Sequence, residues 1–158
     1  MPKVIGSATG AKIAETFEGG CLCGNVRYRA LGKPLASNIC HCRSCRLASG
    51  APSVAWVTWT LDNFAWIAGA PARFASSPDV ERTFCGRCGS PLTYQKIGGV
   101  NDGLPDSLDV TTATLDTPDA FPPTLETWAE HKLAWSCVNG QLPLYERSSV
   151  SETTTQSP

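Results

Sequence analysis

Strand-like alternation of apolar and polar positions dominates the chain. It is clearest in Val26–Ala30, Ser53–Trp59, Phe64–Ile67, Ala72–Ala75, Glu81–Phe84, Pro91–Gln95, Leu108–Thr111 and Leu142–Glu146. A period of two sends successive side chains to opposite faces of a sheet, so each run predicts a short β-strand. No segment holds a 3.6-residue apolar period for more than a few turns, and 14 glycines and 12 prolines punctuate the runs. The predicted class is therefore all-β, with helix confined to single turns. Two segments can carry such a turn: Arg43–Ser49, closed by Gly50, and Thr124–His131, whose residues suit helix and strand alike.

Length changes this picture little. A chain of 158 residues suits one domain, and 42% hydrophobic with 17% charged residues is ordinary for a globular protein. Residues 1–16 read as an N-terminal extension, 17–147 as the folded domain and 148–158 as a mobile polar tail. The turn-rich stretch from Gly98 to Pro105 is expected at the rim of a site. A formal net charge of -1 gives no general attraction to nucleic acid or anionic membranes. The N-terminal residues hold no apolar run of the secretory type, and nothing approaches a membrane span, so a soluble cytoplasmic protein is expected.

Cysteine spacing changes the picture most. Seven of the eight cysteines fall into Cys21-Leu-Cys23, Cys40-His-Cys42-Arg-Ser-Cys45 and Cys85-Gly-Arg-Cys88. In a reducing compartment such spacing points to metal ligands rather than disulfides. A structural zinc site closes with four protein ligands, whereas a catalytic one keeps three and leaves a position open. Two outer pairs make one four-thiolate site from Cys21, Cys23, Cys85 and Cys88, and Cys40, Cys42 and Cys45 remain as a three-thiolate site. Glycines beside the outer pairs (Gly19, Gly20, Gly24, Gly86 and Gly89) permit turns that aim backbone N–H groups at sulfur. Paired free thiols, or a redox-active Cys85-x-x-Cys88, are the competing readings of those pairs.

Three thiolates from one turn leave a fourth vertex facing whatever lies opposite. Their excess negative charge makes the metal a weak Lewis acid suited to a soft ligand, so a thiol co-substrate is expected. The alternative is a second closed site completed by His41 or Cys137. His41, between two ligands, is expected to point away from the metal and is a candidate proton-carrying neighbour; a surface histidine without a role is the other reading. Cys137, among apolar neighbours, reads as a buried inert thiol. Arg43 and Arg46 flank Cys45 and can hold a substrate carboxylate or simply be solvated. Trp56, Trp59, Trp66, Trp128 and Trp135 read as core or pocket-wall residues. Thiolate ligation alone does not distinguish zinc from Fe²⁺ or Co²⁺.

Three ordered motifs carry a family resemblance. Gly19-Gly-Cys-Leu-Cys-Gly24 with Val26-Arg-Tyr28, then Cys40-His-Cys-Arg-Ser-Cys-Arg46 with Ser49-Gly-Ala-Pro52, then Phe84-Cys-Gly-Arg-Cys-Gly-Ser-Pro-Leu92 resemble the glutathione-dependent formaldehyde-activating enzyme family. That family shares a domain with centromere protein V. The likeness continues through Thr114-Leu-Asp116 and from Trp128 to Glu146, covering residues 17 to 147. It implies an Mss4-like fold of packed antiparallel sheets and two Zn²⁺ ions. One would be structural on Cys21, Cys23, Cys85 and Cys88, and the other catalytic on Cys40, Cys42 and Cys45.

The implied activity is carbon–sulfur lyase chemistry, the condensation of formaldehyde with glutathione to S-hydroxymethylglutathione. Implied partners are small molecules, with no nucleic acid or membrane, and homo-oligomerisation is compatible. His41, His131 and Glu126 are the candidate proton donors. Many members carry His-x-Trp near the C-terminus where this chain reads Glu126-Thr-Trp128. Other outcomes are a lyase or dehydratase of a different small molecule, or a non-catalytic interaction module.

Overall fold

The computed structural model describes residues 14–98, 100–101 and 103–150. Most of the expected N-terminal extension, and residues 151–158 of the expected mobile tail, therefore lie outside the described residues. Twelve strands and one short α-helix organise the described chain. In chain order they are β1 (Thr16–Gly20), β2 (Arg27–Leu31), β3 (Ala36–Cys40), helix α1 (Arg43–Ser49), β4 (Val54–Thr60), β5 (Phe64–Ala68) and β6 (Ala72–Ser77). There follow β7 (Val80–Phe84), β8 (Pro91–Lys96), β9 (Val100–Asn101), β10 (Leu104–Pro105), β11 (Ser107–Thr111) and β12 (Leu125–Thr127). The all-β expectation holds.

Seven strands form one sheet in the order β12-β3-β4-β11-β8-β7-β6, and three form a second in the order β1-β2-β5. Among these twelve strands, every pairing with another is antiparallel except that of β12 with β3. Alternation decides what each face meets. In β4, Val57 and Trp59 point with Tyr28 and Ala30 of β2, Val110 of β11 and Leu92 of β8 into a common core between the sheets. Trp56 and Thr58 of β4 instead line an open cavity on the other face of the seven-stranded sheet. One sequence pattern thus makes a dry core on one side and a site on the other.

A register shift between Thr83 and Phe84 in the β7–β8 pairing breaks the alternation locally. Leu92 is thereby buried in the core although Tyr94, two residues on, faces the cavity. Tyr28 closes the core with its hydroxyl 2.9 Å from Thr114 Oγ1, and Trp59 donates its indole N–H to the Gly32 carbonyl at 3.1 Å.

Helix α1 spans the expected Arg43–Ser49, and Gly50 ends it at φ 69° with its N–H on the Arg46 carbonyl. The second segment divides: Leu125–Thr127 is strand and Ala129–His131 a 3₁₀ turn. Leu142–Glu146, expected as a strand, contributes one parallel bridge, Leu144 to Glu126, backed by backbone bonds from Glu126 N to Pro143 O and from Tyr145 N to Glu126 O. Pro143 has no N–H to extend that ladder. Within the turn-rich stretch, Val100–Asn101 and Leu104–Pro105 pair antiparallel as β9 and β10, and Val100, Asn101 and Leu104 lie along the cavity.

Candidate metal centre

Cys21 and Cys23 follow β1, and Cys85 and Cys88 follow β7, on two turns of matching build. Cys21 N–H bonds Val26 O and Cys85 N–H bonds Ser90 O, each at 3.0 Å, while Gly24 and Gly89 return their N–H groups to Cys21 O and Cys85 O. Those two glycines sit at φ 74° and 77°, a left-handed conformation that a side chain would strain. The turns bring four sulfurs within 4.8 Å of one another, with Cys21 Sγ 3.6 Å from Cys23 Sγ and Cys23 Sγ 3.8 Å from Cys85 Sγ. Tetrahedral ligation at a Zn–S distance of about 2.3 Å requires sulfur separations of about 3.8 Å, so the donor set fits zinc.

Hydrogen bonds favour thiolate at two of the four cysteines, whereas at Cys23 the Asn25 backbone N–H is outweighed by desolvation and the neighbouring sulfurs, which push the thiol up to about 11. The Ser90 hydroxyl, aided by the Ser90 and Cys23 backbone N–H groups, holds the Cys88 thiol down at about 5. Burial pushes Cys21 upward, yet the Val26 N–H, 3.2 Å from its sulfur, helps bring it below the ordinary thiol value.

The other cluster lies across the sheet. Cys40 ends β3, Cys42 caps α1 and Cys45 stands in its first turn, and the three sulfurs lie within 4.8 Å of one another. Cys42 Sγ accepts the Cys45 backbone N–H at 3.3 Å, so the helix cap and the candidate ligand are one atom. Contacts with Cys40 and Cys45, that backbone N–H and the Arg82 charge hold the Cys42 thiol far below its ordinary value. Contacts with Cys42 and Cys45, together with burial, push Cys40 far up. A dication bound by these three sulfurs would favour the thiolate form of all of them. Among the described residues no fourth His, Cys, Asp or Glu ligand atom joins the group.

That result bears on the closed-site alternative. His41 is buried at 1% exposure with Nε2 2.6 Å from Glu126 Oε2, beneath the turn and outside the cavity lining. It is neither a surface histidine nor a member of the sulfur group. Cys137 is exposed and free rather than buried, because the 132–142 segment carries it away from the sheets. Trp135, at 72% exposure, likewise belongs to neither core nor pocket wall. Trp56 and Trp128 do line the cavity, Trp59 is core and Trp66 packs against it.

The three-cysteine cluster opens into a cavity of about 450 Å³. Its floor is the outer face of β3, β4, β11, β8 and β7, with Asp109 fixed by Thr58 Oγ1 at 2.6 Å and Asn101 Nδ2 at 3.0 Å. Arg43 reaches the cavity, whereas Arg46 is not among its walls and has a buried Nε without a partner. Trp128 holds φ 60°, a strained value for a side-chain-bearing residue, fixed by its N–H on Arg147 O and by stacking on His131 with ring centroids 5.9 Å apart. Of the three candidate proton donors, His131 lines the cavity; His41 and Glu126 are bonded to each other below it. Ser149 also reaches the cavity, so the start of the polar tail is part of its wall.

Sequence reasoning missed Arg82. It is 8% exposed in β7, donates Nη2–H to Cys45 Sγ at 3.6 Å and Nε–H to Ser76 Oγ at 3.2 Å, and places its guanidinium carbon 4.8 Å from the Tyr94 ring centroid. The β7–β8 register sets Arg82 opposite Tyr94, and the tertiary fold brings it to a cysteine 37 residues away.

The family described as glutathione-dependent formaldehyde-activating enzyme matches residues 16–131. An uncharacterized lyase of Schizosaccharomyces pombe is 29% identical over 85 residues, which are 54% of this chain and 61% of the relative. The chain thus spans less than two thirds of that relative's length.

Proposed function

The chain belongs to the glutathione-dependent formaldehyde-activating enzyme family, and from that premise we propose that it is a carbon–sulfur lyase-type enzyme joining an aldehyde to a thiol, with formaldehyde and glutathione as the pair. The observation that carries this reading is the three-sulfur cluster, which has no fourth protein donor among the described residues and opens into a cavity. Cys40, Cys42 and Cys45 would hold one zinc ion, and Cys21, Cys23, Cys85 and Cys88 a structural one. Zinc in the three-cysteine site would supply a soft Lewis acid able to favour the thiolate form of a thiol or polarise a carbonyl.

The remaining work falls to the chain. The thiolate sulfur forms a bond to the aldehyde carbon, the C=O π pair moves onto oxygen, and that oxygen takes up the proton the thiol gave, so R–SH and aldehyde combine without a leaving group. His131, stacked on Trp128 at the cavity wall, is the proposed carrier of that proton. His41 serves as a positioning residue: with Glu126 it fixes the turn that separates Cys40 from Cys42.

The reading is tested by following S-hydroxymethylglutathione formation with zinc-loaded protein against the uncatalysed rate. Acceleration in the wild type that Cys42→Ser abolishes supports it. Full zinc loading with no acceleration overturns it and assigns the cavity to another small molecule.

A further inference from the structure

Burial sets an electrostatic problem at the three-cysteine cluster. When three thiolates meet a dication one negative charge remains, and Cys40 and Cys45 are too buried for water to spread it. A second anion entering the same site would double the excess. Arg82 stands where that charge accumulates. Among the described residues it is the charged side chain bonded to a sulfur of this cluster, and it is permanently cationic. Its position is fixed on three sides, by Cys45, Ser76 and the face of Tyr94. Among the described residues the four-cysteine cluster shows no such partner; Cys23 is exposed there, and hydroxyl and backbone groups serve the sulfurs.

We propose that Arg82 is a specificity-determining residue: its guanidinium offsets the charge of the Cys40, Cys42 and Cys45 set so that the site accepts an anionic sulfur ligand in preference to a neutral one. This rests on the reading of that cluster as an open metal site. It extends the reading by naming what makes the opening selective for a thiolate. The argument is one of charge rather than shape, because a guanidinium pinned at one sulfur favours every anion that joins the cluster and is indifferent to a neutral donor.

The experiment loads the full chain with Co²⁺ and titrates it with 2-mercaptoethanol or with imidazole, reading the sulfur-to-cobalt charge-transfer and visible ligand-field bands. Cys42→Ser supplies the signal of the four-cysteine site for subtraction. Arg82→Met should weaken 2-mercaptoethanol binding about tenfold or more, equivalent to about 1.4 kcal/mol, while imidazole changes by less than about twofold. Arg82→Lys, which keeps the charge, should hold thiol binding within about threefold of wild type.

Equal losses for both ligands in Arg82→Met would make Arg82 a matter of site shape and overturn the proposal, as would no loss for either. Failure of both variants to fold would assign Arg82 to the core and also overturn it. A wild type that shows no response to thiol sinks the open-site reading together with this one. A wild-type response that ignores Arg82 sinks this one alone.

Discussion

Two cysteine clusters share one ligand type and sit on opposite faces of the seven-stranded sheet. Cys21, Cys23, Cys85 and Cys88 lie on turns beside the main core, which counts Cys21 and Cys85 among its members. Cys40, Cys42 and Cys45 belong to a smaller group with Val54 and Trp56, at the head of a cavity. The first joins segments more than sixty residues apart through four donors and leaves Cys23 at the surface. The second takes three donors from six consecutive residues, buries two of them and bonds one to a guanidinium. Long-range closure with a full donor set suits a metal that stabilises the fold. Local closure with an incomplete donor set suits a metal that meets a ligand.

The sharpest way to break this contrast is to exchange the consequences of losing one sulfur. Cys85→Ser removes a fully buried donor from the closed cluster and should abolish cooperative thermal unfolding, or lower its midpoint by more than about 15 °C, as followed by circular dichroism. A Cys85→Ser protein that melts like wild type would remove the structural role from the first cluster.

A smaller effect probes how the second cluster is supported. Glu126 is 1% exposed and bonds both His41 Nε2 and the Asn139 backbone N–H, tying the ligand turn to the C-terminal segment. Glu126→Ala leaves the buried His41 Nε2 and the part-buried Asn139 N–H without their acceptor and should cost about 1–3 kcal/mol in denaturant unfolding. Glu126→Gln, which still accepts from Asn139, should cost less. Equal stability of Glu126→Ala and wild type would show that the turn stands without this support.

The smallest effect belongs to the surface near the first cluster. Arg27 holds Asp116 in a bidentate pair, and that hydrogen bond with the added Arg27 charge keeps the Asp116 carboxyl below its ordinary value. A depressed folded value means that the pair's contribution is complete above the unfolded carboxylate range and is lost as pH falls through the Asp116 value. The pair is half exposed, so Asp116→Asn should cost only about 0.5 kcal/mol at neutral pH. The difference from wild type should vanish in acid. A gap that persists unchanged at low pH would mean that the carboxylate's charge is not its source.

Which parts were legible in the sequence follows from how local their causes are. The cysteine groups, helix α1 with its Gly50 terminus and most strands could be read because spacing, caps and alternation act within a few residues. Thr124–His131 could not be decided: its helix formers yield to parallel pairing of Leu125–Thr127 with β3, a contact set nearly ninety residues away. Strands β1 and β3 escaped notice because Thr16-Phe-Glu-Gly-Gly and Ala36-Ser-Asn-Ile-Cys lack clean alternation, and neighbouring strands impose their conformation. Nothing near Arg82 in sequence points to Cys45, which only tertiary contact brings to it, and the apolar neighbours of Cys137 do not keep it from the surface.

The central claim is that the two clusters hold metal for different purposes, and zinc per chain measured by elemental analysis on wild type and Cys42→Ser, together with their unfolding midpoints, tests it most directly. Two zinc ions in the wild type, falling to one in a Cys42→Ser protein that stays folded, is the predicted result. One zinc in the wild type, or a Cys42→Ser variant that unfolds as Cys85→Ser does, would contradict it.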